Sequence, residues 1–189
     1  GSVNIEGGYF EATEYNGDYR YTINCIDANY KNGTATVSVS GGTFYGFNPE
    51  ENAAEGTKTN FTAEGYIAKD NGDGTYGVKE GTFVAEVNGV KYETLAEAIA
   101  AAPTDDTAIT ITVLNDVTMS SYIQPKSNTN ITIEGEGKTI TFQNTIYGFA
   151  VANSKLILGE GLNVVAEGNT TALYVQNATV VTSANLSAS

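Results

Sequence analysis

The 189-residue chain carries 22 acidic and nine basic side chains, a net charge of −13, with 41% hydrophobic residues, one cysteine and no histidine. The acid excess, with no two basic residues adjacent, argues against a nucleic-acid groove or an anionic membrane surface, and the missing histidine excludes Ser-His and Cys-His catalysis, histidine metal sites and an imidazole pH switch. The apolar content suffices for a buried core, no run of about 18 apolar residues is present to cross a membrane, and a composition rich in Gly, Asn and Thr favours strands and tight turns.

The first element is Val3-Asn-Ile-Glu-Gly-Gly-Tyr-Phe10, which returns as Val37-Ser-Val-Ser-Gly-Gly-Thr-Phe44. Apolar and polar residues alternate up to a paired glycine, then an aromatic follows, so the pattern predicts a β unit used more than once in a solenoid. Tyr76-Gly-Val-Lys-Glu-Gly-Thr-Phe83 reads as a third, degraded copy. Between the first two, Cys25 lies among Ile23 and Ile26 and reads as a small buried hydrophobe. Asn16-Gly17, Asn32-Gly33, Asn71-Gly72 and Asn88-Gly89 are dipeptides that close hairpins, and the segment from Gly65 to Val78 is the clearest hairpin of all.

One helix is expected, near 94–102: Thr94-Leu-Ala-Glu97 is a capping box, Leu95, Ala98, Ile99 and Ala102 follow at helical spacing, and Pro103 stops the run. Its single apolar face suits a cap over the open end of a solenoid. From Ile109 onward, Ile109/Ile111/Val113, Ile131/Ile133, Leu156/Leu158 and Val180 recur about every 22 to 25 residues, with second and third apolar segments between them. Three short strands per turn, stacked about 4.8 Å apart, describe an all-β fold: a right-handed parallel β-helix with some antiparallel hairpins in its N-terminal half. Two layouts fit: residues 1–88 end one solenoid and 89–189 begin another, or both share one continuous core. The chain begins and ends beside strand motifs, as a piece of a longer protein would.

The phrase Tyr92-Glu-Thr-Leu-Ala-Glu-Ala-Ile-Ala-Ala-Ala-Pro103 resembles the capping helix of pectate-lyase-like β-helix domains. Gly41-Gly-Thr-Phe44, Ala63-Glu-Gly-Tyr66, Asp70-Asn-Gly-Asp-Gly-Thr-Tyr76 and Val87-Asn-Gly-Val-Lys-Tyr92 resemble large secreted or cell-surface proteins of gut bacteria that string such domains together. The resemblance implies an extracellular or surface location and names no activity. Pectinolytic relatives would need Asp clusters with Gly-His-Gly and Arg-Ile-Lys, or Arg, Lys and a calcium cluster, or two Asp and an Arg on the β-helix. Here the single Arg is Arg20, and Asp105-Asp106 is the sole Asp pair.

Aromatic residues supply the one candidate binding site. Tyr9, Tyr15, Tyr19 and Tyr21, with Tyr45 and Phe47 beyond the second glycine pair, could form a sugar-stacking strip or could serve the core. Tyr45, Phe47, Tyr19 and Tyr21 are the carbohydrate-stacking candidates. Asp70-Asn-Gly-Asp-Gly-Thr75 has glycines where a calcium loop needs oxygen ligands and reads as a hairpin tip, leaving no required cofactor and at most an incidental calcium. The Asn-x-Ser/Thr sites at Asn32, Asn60, Asn130, Asn169, Asn177 and Asn185 follow from composition, and asparagines at turns are expected to bond across neighbouring rungs. The leading expectation is a non-catalytic stalk or adhesion module, its partners a host or microbial glycan and neighbouring repeat domains, with head-to-tail self-association through exposed strand edges. A polysaccharide lyase or glycoside hydrolase, or its binding module, and a phage-fibre segment are the alternatives.

Overall fold

A computed structural model describes residues 1–12 and 21–189. Strand accounts for 48% of it and helix for 6%, which makes the protein mostly β. It divides into two units, Gly1–Thr82 and Phe83–Ser189.

In the first unit the repeat stacks on itself. Strand β1 (Ser2–Glu11) pairs parallel with β2 (Thr36–Tyr45), placing Val3 opposite Val37, Ile5 opposite Val39 and Phe10 opposite Phe44. Identical patterning buries like against like: the rings of Phe10 and Phe44 stack at 4.9 Å, and Phe44 is fully buried. The third copy behaves differently. Its first residues form β4 (Thr75–Glu80), which runs antiparallel both to β2 and to β3 (Tyr66–Asp70), so it is the return arm of a hairpin and not another parallel rung. The hairpin expected from Gly65 to Val78 is thus formed, and it displaces the third parallel copy, because a period of two carries no strand direction.

A five-residue helix, α1 (Asp27–Lys31), adds to the single helix expected from sequence. One turn is too short to show a 3.6-residue period. Asn32-Gly33 closes this helix and makes no hairpin: Gly33 takes φ +75°, a common helix stop, and its N–H donates to Tyr30 O at 3.0 Å. Asn16-Gly17 lies outside the described residues.

The second unit opens with a hairpin of β5 (Ala85–Val87) and β6 (Val90–Tyr92). Its turn is Asn88-Gly89, with φ of 50° and 82°, the two positive values that a tight hairpin of this type needs. Helix α2 (Leu95–Ala100) follows with the full capping box: Thr94 Oγ1 accepts from the Glu97 N–H at 3.1 Å, and a Glu97 carboxylate oxygen accepts from the Thr94 N–H at 3.1 Å. Leu95, Ala98 and Ile99 are buried in the same core as Ile111 and Val113.

About three solenoid turns come next. One parallel sheet stacks β7 (Ala108–Val113), β9 (Asn130–Glu134), β12 (Lys155–Leu158) and β15 (Thr179–Thr182), with the β5–β6 hairpin on its first edge. A second stacks β8 (Val117–Met119), β10 (Thr139–Phe142), β13 (Asn163–Ala166) and β16 (Asn185–Ala188). The third pairs β11 (Tyr147–Ala152) with β14 (Thr171–Gln176), and Ile123 bridges to Phe149 one turn earlier. Ile131, Ile133, Ile140, Phe142, Phe149, Leu156 and Leu158 all point inward with no exposed surface. Each such side chain contributes about 1.5 to 3 kcal/mol by leaving water.

Asparagine holds one corner. Asp106, Asn128, Asn153 and Asn177 all take the left-handed conformation, φ 65°, 60°, 51° and 46°, at equivalent points of successive turns. The Asp106 N–H donates to Asn128 O at 2.9 Å, the Asn128 N–H to Asn153 O at 2.8 Å, and Asn177 Nδ2 to Asn153 Oδ1 at 2.7 Å. Asn185 Nδ2 donates to Asn163 Oδ1 at 2.9 Å on the neighbouring sheet. The cross-rung role expected for the turn asparagines is therefore what the chain uses.

Candidate functional site

Of the three aromatic candidates among the described residues, one offers its ring to solvent. Tyr45, 48% exposed, ends β2 opposite Thr75 with its ring over Gly74. Phe47 is a correction: it is only 5% exposed and packs against Phe44 at 6.3 Å and Phe61 at 6.4 Å. Strict alternation from Tyr45 would turn Phe47 outward, but Gly46 at φ +64° ends the strand and redirects the chain. Tyr21 is half-buried against the same core, and Tyr19 lies outside the described residues. Tyr9, 61% exposed, joins Tyr45 in an open patch with Glu11 and Asp73; its hydroxyl pKa is raised, first by lost hydration and then by Glu11, Tyr45 and Asp73.

Asp73, Asp105, Cys25 and Tyr30 serve local structure. Asp73 accepts from the Thr75 hydroxyl at 2.6 Å and the Thr75 N–H at 3.0 Å, which hold its carboxyl below the usual range. Asp105 is lowered in the same way by Thr107. The loop read as a hairpin tip thus spends an Asp73 oxygen on its own turn. Cys25 is partly buried; its N–H donates to Glu55 Oε1 at 2.6 Å, and desolvation followed by hydrogen bonding to Glu55 pushes the thiol up to about 11. A thiol so raised is protonated at neutral pH and is a poor nucleophile. Tyr30, whose pKa is also raised by burial and then by Cys25 and Glu55, donates its hydroxyl to Asn60 O at 3.0 Å.

An aromatic concave site lies on the outer face of the third sheet. Here β11, β14 and the segment at Ile123 present a floor of Ala150 and Ala152 between the walls Tyr122, Tyr147 and Tyr174, a trough of about 310 Å³. Tyr147 and Tyr174 stack on each other at 4.7 Å with their planes 30° apart. Tyr147 faces out because its neighbour Gly148 faces in: a Cβ on Gly148 would lie 2.7 Å from the Phe142 ring and 2.6 Å from Ala172 O. The glycine lets β11 approach the core closely and turns the tyrosine to the surface. Gln124 and Gln176 stand at the rim with carboxamides that both donate and accept. A second hollow shares Tyr122 and Ile146 and extends past Gln143, Asn144, Glu167 and Asn169.

Flat aromatic faces beside small alanines and rim amides suit a ligand with an apolar ring face and hydroxyl edges. These tyrosines escaped the sequence reading because no local motif marks them. Their one signal is recurrence: Tyr122, Tyr147 and Tyr174 fall about one solenoid turn apart. No family model, curated protein or solved structure matches this chain.

Proposed function

We propose that this chain is a non-catalytic stalk and adhesion module of a secreted or surface-displayed bacterial protein, with a carbohydrate held in the tyrosine trough of the second unit. The location rests on the resemblance to pectate-lyase-like surface domains. The trough is the observation that carries the binding reading, since it sets two stacked tyrosines beside small alanines and carboxamides on one outer face of the solenoid. Binding is favoured over cleavage by the trough's own lining: glycoside hydrolysis uses a carboxylate pair, and Tyr122, Gln124, Tyr147, Tyr174 and Gln176 supply amides and phenols.

The test is a glycan array probed with the chain and with Tyr147→Ala/Tyr174→Ala, with and without calcium. Loss of two stacking rings at about 1 kcal/mol or more each predicts a drop of at least about tenfold for any glycan bound. Binding unchanged in the double variant would remove the trough from the proposal, and a blank array would leave a spacer without adhesion. Release of reducing ends or unsaturated products from a polysaccharide would establish the enzymatic alternative instead.

A further inference from the structure

Two glycines at equivalent positions of the repeat have opposite surroundings. A Cβ on Gly41 would overlap the carbonyl oxygen of Glu6 and lie 2.8 Å from its carbonyl carbon, because β1 passes too close for any side chain. Neither Gly41 nor Gly7 takes a positive φ, unlike their neighbours Gly42 and Gly8 at 103° and 111°. Close approach of the adjacent rung is therefore the one backbone reason for glycine at this point of the repeat. A Cβ on Gly7, however, would have no other described atom within 4 Å.

The rest of β1 shows the same incompleteness. It is the outermost strand of its sheet, ten residues long, with a row of amide and carbonyl groups facing away from β2. Its inward residues Ile5 and Phe10 are half-buried, whereas their partners Val39 and Phe44 have no exposed surface. Val3 and Tyr9 are 53% and 61% exposed.

We propose that the outer edge of β1 receives a further strand of this same repeat, parallel and in the register that β1 takes on β2. The occupant alternates apolar and polar residues up to a glycine pair and an aromatic. Gly7 makes room for its carbonyl oxygen at the point matching Glu6, and its aromatic covers the open face of Phe10 as Phe10 covers Phe44. The surface is thus a strand-addition site, in which main-chain hydrogen bonds give affinity and the glycine gives register.

A synthetic peptide of residues 34–47, which carries the second repeat, is titrated into the full chain while backbone amides are followed by NMR. The expected result is saturable shifts and exchange protection confined to β1, absent with a scrambled peptide. Gly7→Val has open space and a strand-favouring side chain, so its melting temperature stays within about 2 °C of the parent, yet peptide affinity falls about tenfold or more because the new side chain meets the incoming carbonyl. Gly7→Ala is a milder probe that shifts affinity in the same direction. Peptide binding equal in the parent and both variants, no shift in β1, or edge-to-edge dimerisation of the chain through β1 without peptide would each overturn the proposal.

Discussion

Asn153 shows how much one residue does in a stacked fold. It takes φ 51°, its carbonyl accepts from the Asn128 N–H, and its side-chain oxygen accepts from Asn177 Nδ2 at 2.7 Å. Alanine there keeps the strained backbone and loses the side-chain bond, so Asn153→Ala is expected to cost about 1 to 2 kcal/mol in urea denaturation, and Asn153→Gly less, because glycine relieves the conformation. Cys25 gives a pH prediction. Its folded pKa is raised from 9.0 to about 11, so the unfolded chain loses the thiol proton first as pH rises. The contribution is fully present below about 9 and is lost between about 9 and about 11. Denaturation midpoints measured across that window should fall more for the parent than for Cys25→Ser, whose hydroxyl does not titrate there. A parallel decline in both proteins would remove Cys25 from the effect.

Among the elements, α2 is set by four residues of sequence and acts at the end of a core. Thr94 and Glu97 satisfy N–H groups that the helix leaves unbonded, and Leu95, Ala98 and Ile99 join the core of the first rung. Thr94→Ala is expected to lower stability by about 1 kcal/mol, and Leu95→Ala by about 2 to 5 kcal/mol as a buried side chain leaves a cavity. Guanidinium melts of the two variants should rank in that order; equal losses would mean that α2 is anchored by its cap and not by its packing. Both the capping box and the Asn88-Gly89 hairpin were legible because each is decided by contacts within a few residues. The β3–β4 hairpin was legible for the same reason, whereas the short α1 and the pairing of β4 on β2 were not, since one depends on a single turn and the other on which neighbour the strand meets.

Over the whole second unit, stability is graded by position along the stack. Strands β9 and β12 have neighbours on both sides, whereas β14, β15 and β16 are the last strands of their sheets. The inward positions report the difference: Val151 and Leu156 have no exposed surface, Val175 opposite Val151 is 45% exposed, and Val180 opposite Leu156 is only partly buried. Hydrogen exchange should be slowest in β9 and β12 and fastest in β14 to β16, as nearest-neighbour stacking requires. In the same way Leu156→Ala should cost about 2 to 5 kcal/mol and Val180→Ala markedly less. Uniform exchange along the stack would contradict rung-by-rung stability.

Period-two alternation, paired glycines, a capping box and a turn-length repeat by themselves determined a solenoid with a capping helix, because those features act locally or through identical neighbours. Tertiary structure decided the rest. It placed Phe47 in the core where Gly46 turns the chain, laid β4 against β2, and brought Tyr147 and Tyr174 together across a rung. The physical reason is that a sequence period states which residues share a face, whereas a site depends on which faces meet, and that is settled only when the rungs stack.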